Sequence, residues 1–62
     1  MNIAMLDALL NTWLLDARSP VEERAVWNIK SRAKRLLGVS ANPERLAGRM
    51  LQVLTRAHAQ AA

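Results

Sequence analysis

The residues with most chemical character in this 62-residue chain are two tryptophans, one histidine, and nine cations set against five acids. Trp27 stands out among them. Placed on a helix at 100° per residue, it falls in a polar face between Lys34 and Ser31, with Glu23 and Arg24 about one turn before it and Lys30 almost one turn after. An indole among cations offers two chemistries. It can stack on an exposed nucleobase while Lys and Arg hold the phosphates. It can also anchor a protein interface, where Trp and Arg carry much of the binding energy. A third reading is structural: the ring lies under a neighbouring helix or loop, covered by the stems of Lys30 and Lys34.

Two groups of cations frame that choice. The segment Lys30-Ser31-Arg32-Ala33-Lys34-Arg35 sets four cations in six residues, with no acid nearby in the sequence. It reads as a phosphate-binding patch, or as charge that complements the carboxyl end of a helix dipole, which accounts for Lys34 and Arg35 better than for all four. Arg45, Arg49 and Arg56, with Gln52, follow i, i+4, i+7 and i+11 spacing and so form one straight stripe, either a solvated face or a second acid-contacting edge.

Catalytic constellations are missing from the sequence. There is no cysteine, and His58 is the single histidine, so neither a nucleophile–base pair nor a zinc set can be assembled. Glu22 and Glu23 are adjacent, point about 100° apart on a helix, and cannot flank a substrate as an acid–base pair. Ser19 and Ser31 have no base at a suggestive spacing. With Gly38 and Gly48 as the only glycines, no phosphate loop can form. His58, on the rim of an apolar face beside Leu51 and Leu54, reads as a packed imidazole near a helix C-terminus. A non-enzyme with no cofactor and no metal is expected.

The elements that must position these residues are helices. Leu, Ala, Arg and Met dominate, and β-branched residues are few. Two joints divide the chain. In Ser19-Pro20-Val21-Glu22, Ser19 is an N-cap, Pro20 suits the first helical position, and Glu22 completes a capping box. In Gly38-Val39-Ser40-Ala41-Asn42-Pro43-Glu44, Gly38 closes one helix in the left-handed conformation and Asn42 caps the next ahead of Pro43. The reading is an all-α, compact three-helix fold, one domain over 1–62, with helices at about 3–17, 20–37 and 43–60.

Each predicted helix has a face to bury. The first carries a broad apolar arc of Ile3, Leu6, Leu9, Leu10, Trp13, Leu14 and Ala17, and a second strip of Ala4, Ala8 and Leu15 on its other side. Polar strips with Asp7, Asn11 and Arg18, and with Thr12 and Asp16, separate the two. The second helix turns Ala25, Val26, Ile29, Ala33, Leu36 and Leu37 inward, opposite Arg24, Asn28, Ser31, Lys34 and Arg35. The third buries Leu46, Ala47, Met50, Val53, Leu54 and Ala57, with Leu51 at the edge.

Size then bears on assembly. A domain this short buries only roughly 60% of its unfolded surface and usually needs a disulfide, a metal or a partner chain. Without cysteines or a zinc set, the partner chain remains. A first helix that is apolar on most sides must be covered on most sides. A homodimer through the first helix is expected, with Ile3, Leu6, Leu10, Trp13, Leu14 and Leu15 in self-association.

A net charge of +4 and a pI near 11.3 favour an acidic partner. The functional expectation is a small regulatory or adaptor protein that binds an acidic protein surface. Its recognition residues would be Trp27, Arg24, Lys30, Ser31, Lys34, Arg35, Arg45, Arg49 and Arg56. The alternative is a nucleic-acid-binding regulator that uses the basic face of the second helix and the arginine stripe of the third. Asp7, Asn11 and Asp16 interrupt the N-terminal apolar stretch short of a membrane span, and no cation precedes Arg18 as a signal peptide would require. An intracellular, cytoplasmic location is the expectation. The polar strips of the first helix are acidic, opposite to the usual pattern of a membrane-surface helix.

Overall fold

The computed structural model describes residues 1–61; Ala62 lies outside them. The chain folds as α1 (Asn2–Asp16), α2 (Pro20–Val39) and α3 (Pro43–Ala61), with no strand among the described residues. The all-α, three-helix class expected from composition is the one observed, and each predicted boundary lies within two residues of the observed one.

The most consequential contact joins the start of α1 to the start of α3. Met1, at the N-cap of α1, has no side chain to offer the free amides of the first turn. Glu44, in the first turn of α3, supplies the missing acceptor. Its carboxylate accepts from the Asn2 N–H at 3.0 Å, from the Ile3 N–H at 2.8 Å, and from the Met1 amino group. The Asn2 side-chain amide returns a bond to the Glu44 carbonyl at 3.0 Å. One carboxylate therefore serves the positive ends of two helix dipoles. The Met1 ammonium first, then the Ile3 amide, hold the Glu44 carboxyl below its ordinary range, while partial desolvation opposes them.

Gly48 lies one turn further along α3. A Cβ there would come within 2.8 Å of the Asn2 amide nitrogen, so the bare backbone lets α1 begin against α3.

The joints depart from expectation in two details. Ser19 caps α2 as read, its hydroxyl accepting from the Glu22 N–H at 3.2 Å. The Glu22 carboxylate, however, accepts from the Arg18 N–H at 2.8 Å, so the reciprocal half of the capping box reaches one residue further back. Gly38 does not adopt the left-handed conformation: no described residue has positive φ, and α2 runs through Gly38 to Val39. The cap is Ser40, in extended backbone. Its hydroxyl accepts from the Asn42 N–H, and the Asn42 side-chain oxygen accepts from the Arg45 N–H, both at 3.2 Å. The end of α2 is served by the Ser40 N–H, which donates to the Leu37 carbonyl at 3.4 Å, while the Ser40 and Asn42 side chains serve the amides that lead into α3.

The core is small because the molecule is thin. Its Cα extents are 35 × 21 × 15 Å, and the shortest leaves room for two helix layers of roughly 10 Å spacing. Leu6, Leu10, Ala33 and Ala47 are fully enclosed, with Trp13, Val26, Ile29, Leu37, Met50, Leu51 and Leu54 packed around them. The two alanines permit close approach of α2 and α3 to the leucines of α1. The face of α3 is turned from its expected position: Val53 and Ala57 are exposed, while Leu51 packs on the core. The Glu44 and Gly48 contacts at one end, and a His58–Trp13 stack at the other, draw the Ala47–Leu51–His58 side toward α1. Leu36 of α2, expected inside, is also exposed.

Two outcomes follow. Gly38→Ala, with open space around its Cβ and ordinary helical backbone, should stabilise the fold by about 0.5 kcal/mol through reduced chain entropy. Gly48→Ala should lose that gain by displacing Asn2, and urea denaturation of the pair measures the difference. Because Glu44 titrates lower when folded, its stabilisation is complete above its unfolded pKa of roughly 4.3 and fades as pH falls through the lower folded value. The urea midpoint of the wild type should therefore drop between about pH 5 and pH 3 more steeply than that of Glu44→Gln. Parallel curves would show that the clamp contributes nothing.

Candidate functional site

Trp27 lies midway along α2 and is half exposed, at 49%. It is not loose. The Lys30 ammonium sits 5.2 Å from the ring centroid, within cation–π range. The same ammonium donates to the Asn11 side-chain oxygen at 2.6 Å and lies 3.8 Å from the Asp7 carboxylate, both on α1. Lys30, expected to be a cation unopposed by any acid, is therefore partnered across the helix pair. Its charge is spent on holding α2 to α1 and on fixing the indole.

The indole borders an open depression of about 510 Å³ lined by Pro20, Val21, Glu23, Arg24, Trp27 and Asn28. Val21 is 78% exposed there, so the depression has an apolar wall as well as an aromatic one. Pro20, Val21, Glu23 and Asn28 were not among the residues assigned to recognition from sequence. Pro20 and Val21 had been absorbed into the cap of α2, and an apolar Val at a helix start is the signal that was available.

Arg24 stands beside the ring, and Ser31 is exposed one turn after it. Lys34 is also exposed and leans the other way, into the α1–α2 groove shared with Ile3, Asp7 and Leu37. Arg35 is exposed on the outer side of α2, near Arg24 on the helix wheel.

The arginine stripe of α3 does not join this group. Arg24, Ser31 and Arg35 lie about half a turn from Ala33, and Arg45, Arg49 and Arg56 lie about half a turn from Ala47. Ala33 and Ala47 belong to one core, so the two basic rows point away from a common centre and toward different sides of the molecule. The single basic surface that a shared orientation would have produced does not form.

The residues assigned to self-association are divided as well. Leu6 and Leu10 are enclosed by the chain itself, at 2% exposure, and are not offered to a second copy. Trp13 and Leu14 are half-buried, and Trp13 is occupied by His58, whose ring stacks on it at 4.8 Å and 27°. Ile3 is partly exposed, and Leu15 projects outward at 86%. Met1 and Met5, absent from the sequence assignment, are exposed on α1 too.

Chemically, the Trp27 surface presents an aromatic plane, a guanidinium, the Glu23 carboxylate, an amide and a hydroxyl, a set suited to binding. Among the described residues, no cluster of three His, Asp or Glu side chains could hold a metal ion, and no helix is long and apolar enough to cross a membrane. Compared with protein families, with curated proteins and with solved structures, the chain matches none.

The two tryptophans should separate in mutagenesis. Trp13→Ala removes a half-buried ring and its imidazole partner and should cost about 2–3 kcal/mol. Trp27→Ala should cost under about 1 kcal/mol, the range of an exposed cation–π contact. Chemical denaturation followed by circular dichroism reads both, and a Trp27→Ala variant that unfolds would place the indole in the core.

Proposed function

We propose that this chain is a small non-catalytic regulatory or adaptor protein, acting inside the cell as a homodimer built through α1. It binds a protein partner whose surface is acidic and partly apolar. The observation that carries this reading is Trp27, held half exposed by Lys30 beside Arg24 at the edge of a depression. A large ring fixed in one orientation loses little entropy on docking, and Trp and Arg are both enriched among interface hot spots. Val21 extends the apolar part of the surface, while Arg24 and Arg35 supply the charge that an acidic partner would meet. Lys30 serves as a positioning residue.

A second reading, nucleic-acid binding, draws support from the net charge of +4 and from an indole available for stacking. It is the weaker one. Phosphate binding gains from many cations on one surface, and here Arg45, Arg49 and Arg56 face away from Trp27 while Lys30 is already engaged.

The two readings separate by fluorescence anisotropy with three labelled probes: a Glu/Leu amphipathic peptide, a DNA duplex and a single-stranded RNA, at about 0.05 M and 0.15 M salt. The peptide should bind the wild type and lose at least about tenfold in affinity, 1.4 kcal/mol, with Trp27→Ala and with an Arg24→Glu/Arg35→Glu double variant. Duplex binding that falls with a log–log salt slope of about −3, the value for three phosphate contacts, would transfer the proposal to nucleic acid. Retention of none of the probes at the lower salt would remove the recognition role from this surface.

A further inference from the structure

We infer that α1 pairs antiparallel with α1 of a second copy along a short coiled-coil seam whose two-fold axis passes beside Ala8, an inference that rests on the homodimer reading and gives it a register. The outward side of α1 carries Met1, Met5, Ala8, Thr12 and Leu15, separated by four, three, four and three residues. That alternation keeps a stripe facing one partner helix. The stripe lies opposite the enclosed Leu6 and Leu10, and all five residues are exposed, Met5 at 59% and Leu15 at 86%. No part of the chain's own fold covers it.

The side chains suit a dry contact. The ends are long and flexible, and the centre is Ala8, with Ala4 one turn before it, so two backbones can approach closely. The Thr12 hydroxyl already donates to the Ala8 carbonyl at 2.9 Å, so its methyl can face a partner without leaving a donor unmet. The stripe carries no charged side chain.

Charge sets the orientation. Within α1 the charged side chains are Asp7 and Asp16, with no cation. A parallel, in-register pair would set each acid opposite its own copy and align the two dipoles. The antiparallel pair keeps the acids of the two copies apart, opposes the dipoles and brings each Asp16 to the level of the other copy's exposed Met1 ammonium. Symmetry about Ala8 then sets Met1 level with Leu15 and brings Met5 within one residue of Thr12, the nearest member of the partner's stripe, as an isologous contact requires. A helix of 15 residues spans about 22 Å, so the seam falls short of the roughly 800 Å² per partner of a standard interface, and the dimer should dissociate in the micromolar range.

The test combines sedimentation equilibrium with thiol cross-linking, which is clean because the chain has no cysteine. The wild-type mass should rise with concentration from 6.9 kDa toward twice that value. Ala8→Cys should oxidise to a linked dimer, and Met5→Cys mixed with Thr12→Cys should give the mixed dimer. Leu15→Cys alone should stay unlinked, since the two copies sit about 20 Å apart along the seam. Ala8→Glu, at a position exposed in the monomer, should keep its helicity and weaken the dimer at least about tenfold. Ready linking of Leu15→Cys would establish a parallel pair and overturn the proposed register while sparing the homodimer. A dimer indifferent to Ala8→Glu would place the contact elsewhere with the same consequence. A monomer at every concentration would overturn both readings.

Discussion

The geometry of this molecule depends on a carboxylate that caps a helix it does not belong to. Left alone, α1 would begin with its first-turn amides bonded to water, since Met1 offers no acceptor. Glu44 takes two of those amides and the amino group, and Asn2 answers from the other side. The consequence reaches well beyond the joint. Bonds from both faces of the contact fix the rotation of α3 about its own axis as well as its distance, and Gly48 makes the distance attainable. With α3 turned this way, Ala47 and Leu51 face the leucines of α1, His58 arrives on Trp13, and Val53 is left outside. A core of four enclosed side chains has little capacity to choose among rotations by packing alone. In a chain this short, directional bonds take over that choice.

What was legible in the sequence follows from which forces are local. The helices, their limits to within two residues, and the Ser19 and Asn42 caps all depend on residues a few positions apart, and local propensity and hydrogen bonding determine them. The turned face of α3 was not legible, because the groups responsible, Asn2 with Glu44 and Trp13 with His58, are more than 40 positions apart in the chain. Gly38 failed as a cap for a related reason: a glycine permits the left-handed conformation without requiring it, and the Ser40 N–H, in extended backbone, serves the Leu37 carbonyl instead. Within the candidate site, the exposure of Trp27 could be read from the wheel. The partner of Lys30 could not, since Asp7 and Asn11 lie on another helix.

That cross-helix contact changes how the two surfaces relate. The sequence presents an apolar, acidic first helix and basic second and third helices, which reads as a division between assembly and recognition. The Asp7–Asn11–Lys30–Trp27 chain links the two: acids and amides of α1 hold the ammonium that holds the indole. Asp7 and Asn11 flank the outward stripe of α1 on the side that faces α2. Whatever covers that stripe would bury the environment in which Lys30 is partnered, and burial strengthens a charged contact by excluding water from it.

The position of the indole along the bundle makes this coupling short-ranged. α1 and α2 run antiparallel, since Lys30 meets Asn11 and Asp7 while Val26, four residues earlier on α2, shares a pocket with Trp13 and Ala17. Leu15 lies one turn after Asn11 on α1, and Trp27 lies about one turn before Lys30 on α2, so the exposed leucine and the half-exposed indole stand at nearly the same level. A helix laid along α1 would end beside the Trp27 ring instead of at a distance from it. In so small a fold, surfaces for two partners cannot be placed far apart. Lys30, bonded to α1 and set over the ring on α2, lies between the two surfaces.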